Sequence, residues 1–224
     1  MMIDSDIAYV SPATTWRVLT RAGKMRSSSC KSSGRGRGFN QPSRPHEHWH
    51  TDISCVQVAG SFYFLICVLD GYSRYIVNWD LRPSMETRDV SIVQQGALEN
   101  APKGVRPRII SDRGSQFTAR EFRKFISLHG LTQATTSPYY PQSNGKIERL
   151  YRTVKGEGIQ GKALNDREHA MQVLDKYIKY YNNERLHSAI GYVTPADRLA
   201  GRTEHIHRER DRKLAEARRE RKKN

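Results

Sequence analysis

The spacing of apolar residues changes repeatedly along this chain, and each change marks an element. Residues 9–25 read as a short helix: Ser11 stands at the N-cap, Pro12 at the first helical position, and Gly23 ends it. Trp16, Leu19 and Thr20 share one face, too little apolar surface for a core, so this helix is expected to pack on something else. From Trp49 to Leu81 the pattern is that of strands. Thr51 to Val58 alternates in part, Phe62 to Leu69 is almost wholly apolar and is expected to be central, and Tyr75 to Leu81 follows. Tight connections at Ala59-Gly60 and Asp70-Gly71 predict an antiparallel meander of three strands.

Beyond the meander the period lengthens. Thr87 to Asn100 reads as a helix with Val90, Val93, Ala97 and Leu98 apolar, and a short strand from Pro107 to Ser111 delivers Asp112 at its end. A helix over Thr118 to His129 turns Phe122, Phe125, Ile126 and Leu128 inward and closes at Gly130; Leu131 to Thr136 is the last strand. After the loop Ser137-Pro138-Tyr139-Tyr140-Pro141, a helix opening at Pro141 carries Glu148 to about Gly156. Asp166 to Asn183 is a long helix with Met171, Leu174, Tyr177 and Ile178 on one side. Residues 203–224 alternate charges with almost no apolar face and are expected to be an exposed helix or disordered. Element order and type predict an α/β fold: a mixed five-stranded sheet flanked by helices, as in the ribonuclease-H-like arrangement, with basic terminal extensions.

Charge divides the chain. The net charge is +15, and residues 1–45 carry eight Lys and Arg against two acids, residues 46–201 twenty against sixteen, and residues 202–224 ten against five. Basic ends on a nearly balanced middle are expected of arms that bind a polyanion. Residues 26–45, rich in Ser, Gly, Arg and Pro, read as a flexible basic linker, so the folded core is expected to begin near His46 and end near residue 200, with a charged tail over 201–224. No apolar run approaches a membrane span, and the N-terminus lacks the regions of a signal peptide, so the chain reads as cytoplasmic. Cys30, Cys55 and Cys67 form no Cys-x-x-Cys pair and are expected to be free thiols, with Cys67 a buried small hydrophobe. His46, His48 and His50 with Cys30 invite a zinc reading, but the paired ligand spacings of a zinc site are missing.

Three carboxylates carry the candidate chemistry. Asp52 interrupts a strand, Asp112 ends one, and Glu148 lies in a helix, so all three can meet at one edge of the sheet. Converging carboxylates in a basic protein fit hard divalent cations and work on nucleic acid. Two ions, Mg²⁺ or Mn²⁺, would activate the attacking oxygen and stabilise the leaving one, with Asp52 bridging both, Asp112 on one and Glu148 on the other. Asp70, Asp80 and Asp89 are rival acids, explained by a hairpin turn, a strand end and a helix surface. In the Glu148 helix, Ile147, Leu150, Tyr151 and Val154 should face the core, whereas Asn144, Glu148, Arg152 and Lys155 form a polar stripe. That stripe is either a salt-bridged face or a phosphate rim beside metals.

The chain resembles DDE transposases of the bacterial insertion-sequence type, with a retroviral-integrase-like catalytic core. The likeness rests on His48-Trp49-His50-Thr51-Asp52-Ile53, on Val68-Leu69-Asp70-Gly71-Tyr72-Ser73-Arg74, on Ser111-Asp112-Arg113-Gly114-Ser115-Gln116-Phe117 and on Ser137 to Arg149. Asp112 and Glu148 are separated by 35 residues, the family's spacing, and Tyr180 to His187 with Gly191 to Pro195 add to the match. The resemblance spans about residues 46–200. It implies that Asp52, Asp112 and Glu148 bind Mg²⁺ or Mn²⁺, and that the enzyme cuts transposon ends and joins the 3′-hydroxyl to target DNA. It also implies a homo-oligomer on paired ends, with Tyr139, Asn144, Arg152 and Lys155 touching DNA. Residues 1–25 resemble the last helix of a helix-turn-helix region, implying a shortened chain or a separately encoded DNA-binding subunit. Other readings are a catalytically idle DNA-binding remnant and a hydrolytic nuclease of the same fold.

Overall fold

Both residues of the Ala59-Gly60 connection take positive φ, 48° and 84°, the left-handed pair that a type I′ hairpin needs. The turn fixes the register of β1 (His48–Val58) on β2 (Ser61–Asp70), with Val58 opposite Ser61 and Asp52 opposite Cys67. The computed structural model of the chain describes residues 2–25, 41–135 and 144–223. β3 (Ile76–Arg82) continues the antiparallel meander, whereas β4 (Arg108–Ser111) and β5 (Thr132–Thr135) add parallel strands on the other side. The order is β3-β2-β1-β4-β5, so β1 is central, not the more apolar β2. The continuous apolar run of β2 reflects burial on both faces rather than a central position: Leu65, Cys67 and Leu69 face one core, Ile66 and Val68 the other.

Helices cover both faces. On one side α2 (Thr87–Asn100) and α4 (Arg120–Leu128) pack Val90, Val93, Ala97, Phe122 and Ile126 against Trp49 and Ile109. On the other, α5 (Gly145–Thr153) and α6 (Arg167–Asn183) pack Ile147, Leu150, Tyr151, Leu174, Tyr177 and Ile178 against Val56, Leu65 and Cys67. The expected helix over 118–129 is broken at Ala119, whose extended backbone separates α3 (Ser115–Thr118) from α4. Leu128, expected inward, is 74% exposed, because the helical period puts it away from the face that Phe122 and Ile126 bury. The start assigned to Pro141 lies outside the described residues. α5 runs on through a π-helical turn, Val154–Ile159, and α6 begins at an Asp166 cap whose carboxylate accepts from His169 N at 2.8 Å. Asn182 on α6 clips the first residue of β3, its side chain accepting from Ile76 N (2.9 Å) and donating to Ile76 O (3.0 Å).

The ends of the chain differ from expectation. α1 (Pro12–Arg21) has the Ser11 cap and Pro12 start that its sequence predicts, but among the described residues it finds no core to join: it buries no residue, and Trp16 is 56% exposed. After the short α7 (Pro195–Leu199) the charged tail is a helix, α8 (Thr203–Lys223), and it does bury a face, because Arg210, Thr203 and Ala217 are shielded. Arg210 makes a two-pronged ion pair with Asp4 (2.7 and 2.8 Å) and also donates to Tyr192 O (2.9 Å). Lys213 reaches Asp6 at 2.6 Å, and Arg221 donates to Tyr9 O, so the segment before α1 lies along α8. The hydrogen bonds from Arg210 hold the Asp4 carboxyl down at about 2.

Candidate active site

Backbone pairing alone brings two of the acids together. β1 and β4 pair in parallel as His48 with Arg108, Trp49 with Ile109 and His50 with Ile110, a constant offset of 60 (108 − 48). Carried two residues further, that offset sets Asp52 beside Asp112, where the chain leaves β4. Adjacent strands lie about 4.8 Å apart, and residues in register share a face. Asp52 is paired with Cys67, which faces the α5 and α6 layer, so Asp52 points toward the helix that carries Glu148.

A buried tyrosine joins that helix to the sheet. Tyr151, one turn beyond Glu148 on α5 and 5% exposed, donates its hydroxyl to the carbonyl of Asp52, with Leu65 O also within reach at 3.2 Å. The same hydroxyl accepts from Cys67 N at 3.1 Å. Burial pushes the Tyr151 phenol well above its ordinary value, so it stays a neutral donor. The acids also sense one another: burial, then the nearby charges of Asp112 and Glu148, lift the Asp52 carboxyl to about 6 against the pull of the Ile53 N–H. Asp112 accepts from Gly114 N at 2.9 Å, which turns the chain into α3, and Glu148 is exposed.

The rival acids are otherwise engaged. Asp70 is fully buried and accepts from His46 N (2.8 Å), Ser73 N (2.7 Å) and Ser73 Oγ (2.6 Å). Asp80 and Asp89 both pair with Arg82, at 3.1 and 2.9 Å. Asp89, expected on a helix surface, is only 6% exposed, because it closes the capping box at the start of α2. By contrast, Asp52, Asp112 and Glu148 have no ion-pair partner among the described residues. As they stand, no three His, Cys, Asp or Glu side chains among the described residues are closed around a common metal position.

The stripe on α5 is partly as expected. Ile147, Leu150, Tyr151 and Val154 are buried, and Glu148, Arg152 and Lys155 are exposed. Asn144 departs from it at 5% exposure: α5 starts only at Gly145, so Asn144 is a cap residue turned inward rather than a member of the helical face. Tyr139 lies outside the described residues, as does Cys30. Of the clustered histidines, His46 accepts from Trp49 Nε1 at 3.2 Å and His50 packs on Gly71, where a side chain would come within 3.0 Å of its ring. Cys67 is buried and Cys55 exposed.

Lys146 anchors the start of α5, donating from Nζ to Gly71 O at 2.9 Å; burial, then the charge of Arg74, brings its ammonium down to about 8. Sequence reasoning missed Tyr151 as more than a core residue, although a lone phenol in an otherwise aliphatic stripe is a signal, since a buried hydroxyl needs a partner.

Sheet order and two helical layers define a ribonuclease-H-like α/β domain. The HTLV-2 integrase catalytic core domain in complex with magnesium superposes on it with a TM-score of 0.55 at 15% identity, over 69% of this chain and 97% of that one. A simian T-cell lymphotropic virus intasome, in complex with PP2A regulatory subunit B56 gamma, gives 0.59 at 16% identity over 85% and 67%. Two family models, both described as integrase core domain, match residues 42–141 and 129–195. The transposase of IS904 from Lactococcus lactis is 28% identical over 156 residues, 68% of this chain and 61% of that protein. An IS136 protein of Agrobacterium fabrum is 32% identical over 142 residues, 61% of this chain and 73% of its own length. The chain belongs to the integrase-core family of insertion-sequence transposases. It spans 61%, 57% and 52% of the lengths of the IS904, IS600 and IS629 relatives. Among the described residues no helix is long and apolar enough to cross a membrane.

Proposed function

We propose that this chain is the catalytic core of a DDE-type transposase, which cuts DNA at the ends of a mobile element and joins the freed 3′-hydroxyl to target DNA. The observation that carries this reading is the uncompensated acidic trio. In a chain of net charge +15, Asp52, Asp112 and Glu148 lack cationic partners among the described residues, while Asp80 and Asp89 are paired with Arg82 and Asp70 is held by His46 and Ser73. Their donor set, three carboxylates of which Asp52 is lifted by burial and then by the charges of the other two, fits two Mg²⁺ or Mn²⁺ ions by chemistry, with Asp52 central and Asp112 and Glu148 at either side. Such ions, when bound, activate the attacking oxygen and neutralise the leaving one.

In the first step water attacks the scissile phosphorus, the bond to the 3′ oxygen breaks, and a 3′-hydroxyl and a 5′-phosphate result. In the second that hydroxyl attacks a target phosphorus and displaces the target strand's 3′ oxygen. The contribution of the chain is placement. β1 and β4 fix Asp52 and Asp112 by backbone pairing, Tyr151 seats α5, and exposed Arg152 and Lys155 offer charge to phosphates beside Glu148. Asn144, whose shielded Oδ1 has no hydrogen-bond partner among the described residues, and Tyr139 remain proposed DNA contacts. The active form is read as a homo-oligomer on paired ends.

The test is an assay with labelled oligonucleotides bearing the element's ends, in Mg²⁺ or Mn²⁺. Joined products support the transposase, nicks without joining support a hydrolytic nuclease, and binding alone an idle remnant. Glu148→Gln is expected to abolish cleavage and leave DNA affinity nearly unchanged, because binding rests on distributed cations. Full cleavage by that variant would move the catalytic acid elsewhere.

A further inference from the structure

The segment between β2 and β3 is held from three sides. Lys146 of α5 donates to Gly71 O at 2.9 Å, Asn182 of α6 brackets Ile76, and the Arg198 guanidinium lies 4.2 Å over the Tyr72 ring. Between these contacts stands Arg74. Its backbone is left-handed, φ +66°, and its N–H donates to Asp70 O at 2.9 Å. A left-handed arginine is disfavoured and persists only where its surroundings impose it.

The side chain of Arg74 is unanswered. Its Nε is shut off from solvent without a hydrogen-bond partner, and its guanidinium makes no hydrogen bond or ion pair among the described residues. The carboxylate of Asp70 is already committed to His46 and Ser73. A guanidinium carries five donors in a planar fork; in Arg74 the Nε–H is shut off from both water and a protein partner, and leaving a donor idle in that way is expensive.

More cations surround it. Burial, then the charges of Arg74, Arg185 and Arg149, hold the His187 imidazole down at about 4. Arg185 is neutralised by Glu157 through bonds of 2.8 and 2.7 Å, but Arg149, exposed and next to Glu148 on α5, has no carboxylate partner among the described residues. The β2–β3 connection and α5 thus bring the charges of Arg74, Lys146 and Arg149 around one acid that is already spent. Such a cluster is tolerable where an external anion completes it.

We propose that Arg74 and Arg149 clamp one backbone phosphate of DNA, with Lys146 and His187 at its sides, on the flank of α5 that faces the β2–β3 connection. Paired guanidinium forks match phosphate oxygens in a way that single ammonium groups do not. Because Arg149 follows Glu148 directly, the clamped phosphate neighbours the one at the acidic trio and sets how the strand enters. The identity of the polymer rests on the proposed function; the anion site stands on the cluster itself.

The experiment uses the full chain, with Arg74→Gln, Arg149→Gln and the double variant. DNA affinity is measured by anisotropy across a salt series, and thermal midpoints are measured with and without inorganic phosphate at matched ionic strength. Each single variant is expected to lower the slope of log affinity against log salt by about 1, and the double by about 1 rather than about 2, since one phosphate is shared. Phosphate should raise the midpoint of the wild type and not that of Arg74→Gln. The midpoint of Arg74→Gln without phosphate should equal or exceed that of the wild type, whereas a structural arginine would lower it. An unchanged slope in Arg149→Gln, whose exposed side chain leaves folding intact, or additive losses in the double variant, would overturn the clamp. A wild type that responds to phosphate but binds no DNA would keep the anion site and refute the DNA reading.

Discussion

The Tyr151 hydroxyl donates to the carbonyl of Asp52, so the helix bearing one candidate catalytic acid is fastened to the backbone of another. Tyr151→Phe removes the donor to Asp52 O and the acceptor for Cys67 N while keeping the ring. Unmet buried backbone groups cost about 1–3 kcal/mol, so the thermal midpoint should fall. If the hydroxyl also sets the distance between acids, the variant needs more Mn²⁺ for half-maximal joining, with DNA affinity unchanged. A lower midpoint with an unaltered Mn²⁺ requirement would make Tyr151 a packing residue only.

Asp52→Asn should stabilise the metal-free protein. A carboxyl whose folded value is about 6 against the usual 3.8 favours its neutral form. Its contribution to stability is therefore complete below pH 3.8 and lost as pH rises through 6. Near pH 7.5 in a chelator the ionised wild type carries a penalty of ~3 kcal/mol that the amide escapes. Divalent cations should reverse the ranking by binding only the wild type. A variant that melts lower in the chelator would contradict the strain at this site.

His187 gives the opposite pH response. Its folded value of about 4 lies below the ordinary 6.5, so the unfolded chain takes the proton first. Stability from this group is full above pH 6.5 and falls as pH drops toward 4. His187→Asn keeps an acceptor for Ala189 N and should flatten that acid slope in melts between pH 7 and 4.5. An equally steep slope would assign the sensitivity to other groups.

At the ends of the chain, Asp4→Asn leaves the shielded Arg210 without its counter-charge. Hydrogen exchange should quicken along α8 and in residues 2–10, while β1 and β2 keep their protection. In the wild type this contact holds above pH 3.8 and weakens as pH falls toward 2. Unchanged exchange in α8 would show that the rest of the contact suffices.

Where periodicity and turn chemistry agreed, the sequence was enough. α2 begins and ends where Thr87 and Asn100 predict, and the Ala59-Gly60 turn is the hairpin its residues demand. The meander, the two short strands and the inward face of α5 were legible for the same reason. Strand order was not, because a run such as Phe62 to Leu69 records burial on both faces, and β1 became central only by parallel pairing with a strand about fifty residues away. The burial of Asn144 followed from a helix start that the capping pattern did not reveal. The docking of α8 was hidden because its partners, Asp4 and Asp6, are about two hundred residues distant and the contact is polar rather than apolar. The acids of the site were visible as residues. Three dimensions added what engages the rivals: Arg82 pairs with Asp80 and Asp89, and His46 N with Ser73 occupies Asp70, whereas Asp52, Asp112 and Glu148 have no ion pair among the described residues.

The constant offset of 60 between β1 and β4 has an evolutionary corollary. Because backbone bonds alone align Asp52 with Asp112, the intervening hairpin and helix are free to gain or lose residues across a lineage without disturbing the chemistry. One codon deleted between His50 and Asp52 would instead swing the carboxylate toward α2, since alternate strand positions face opposite ways.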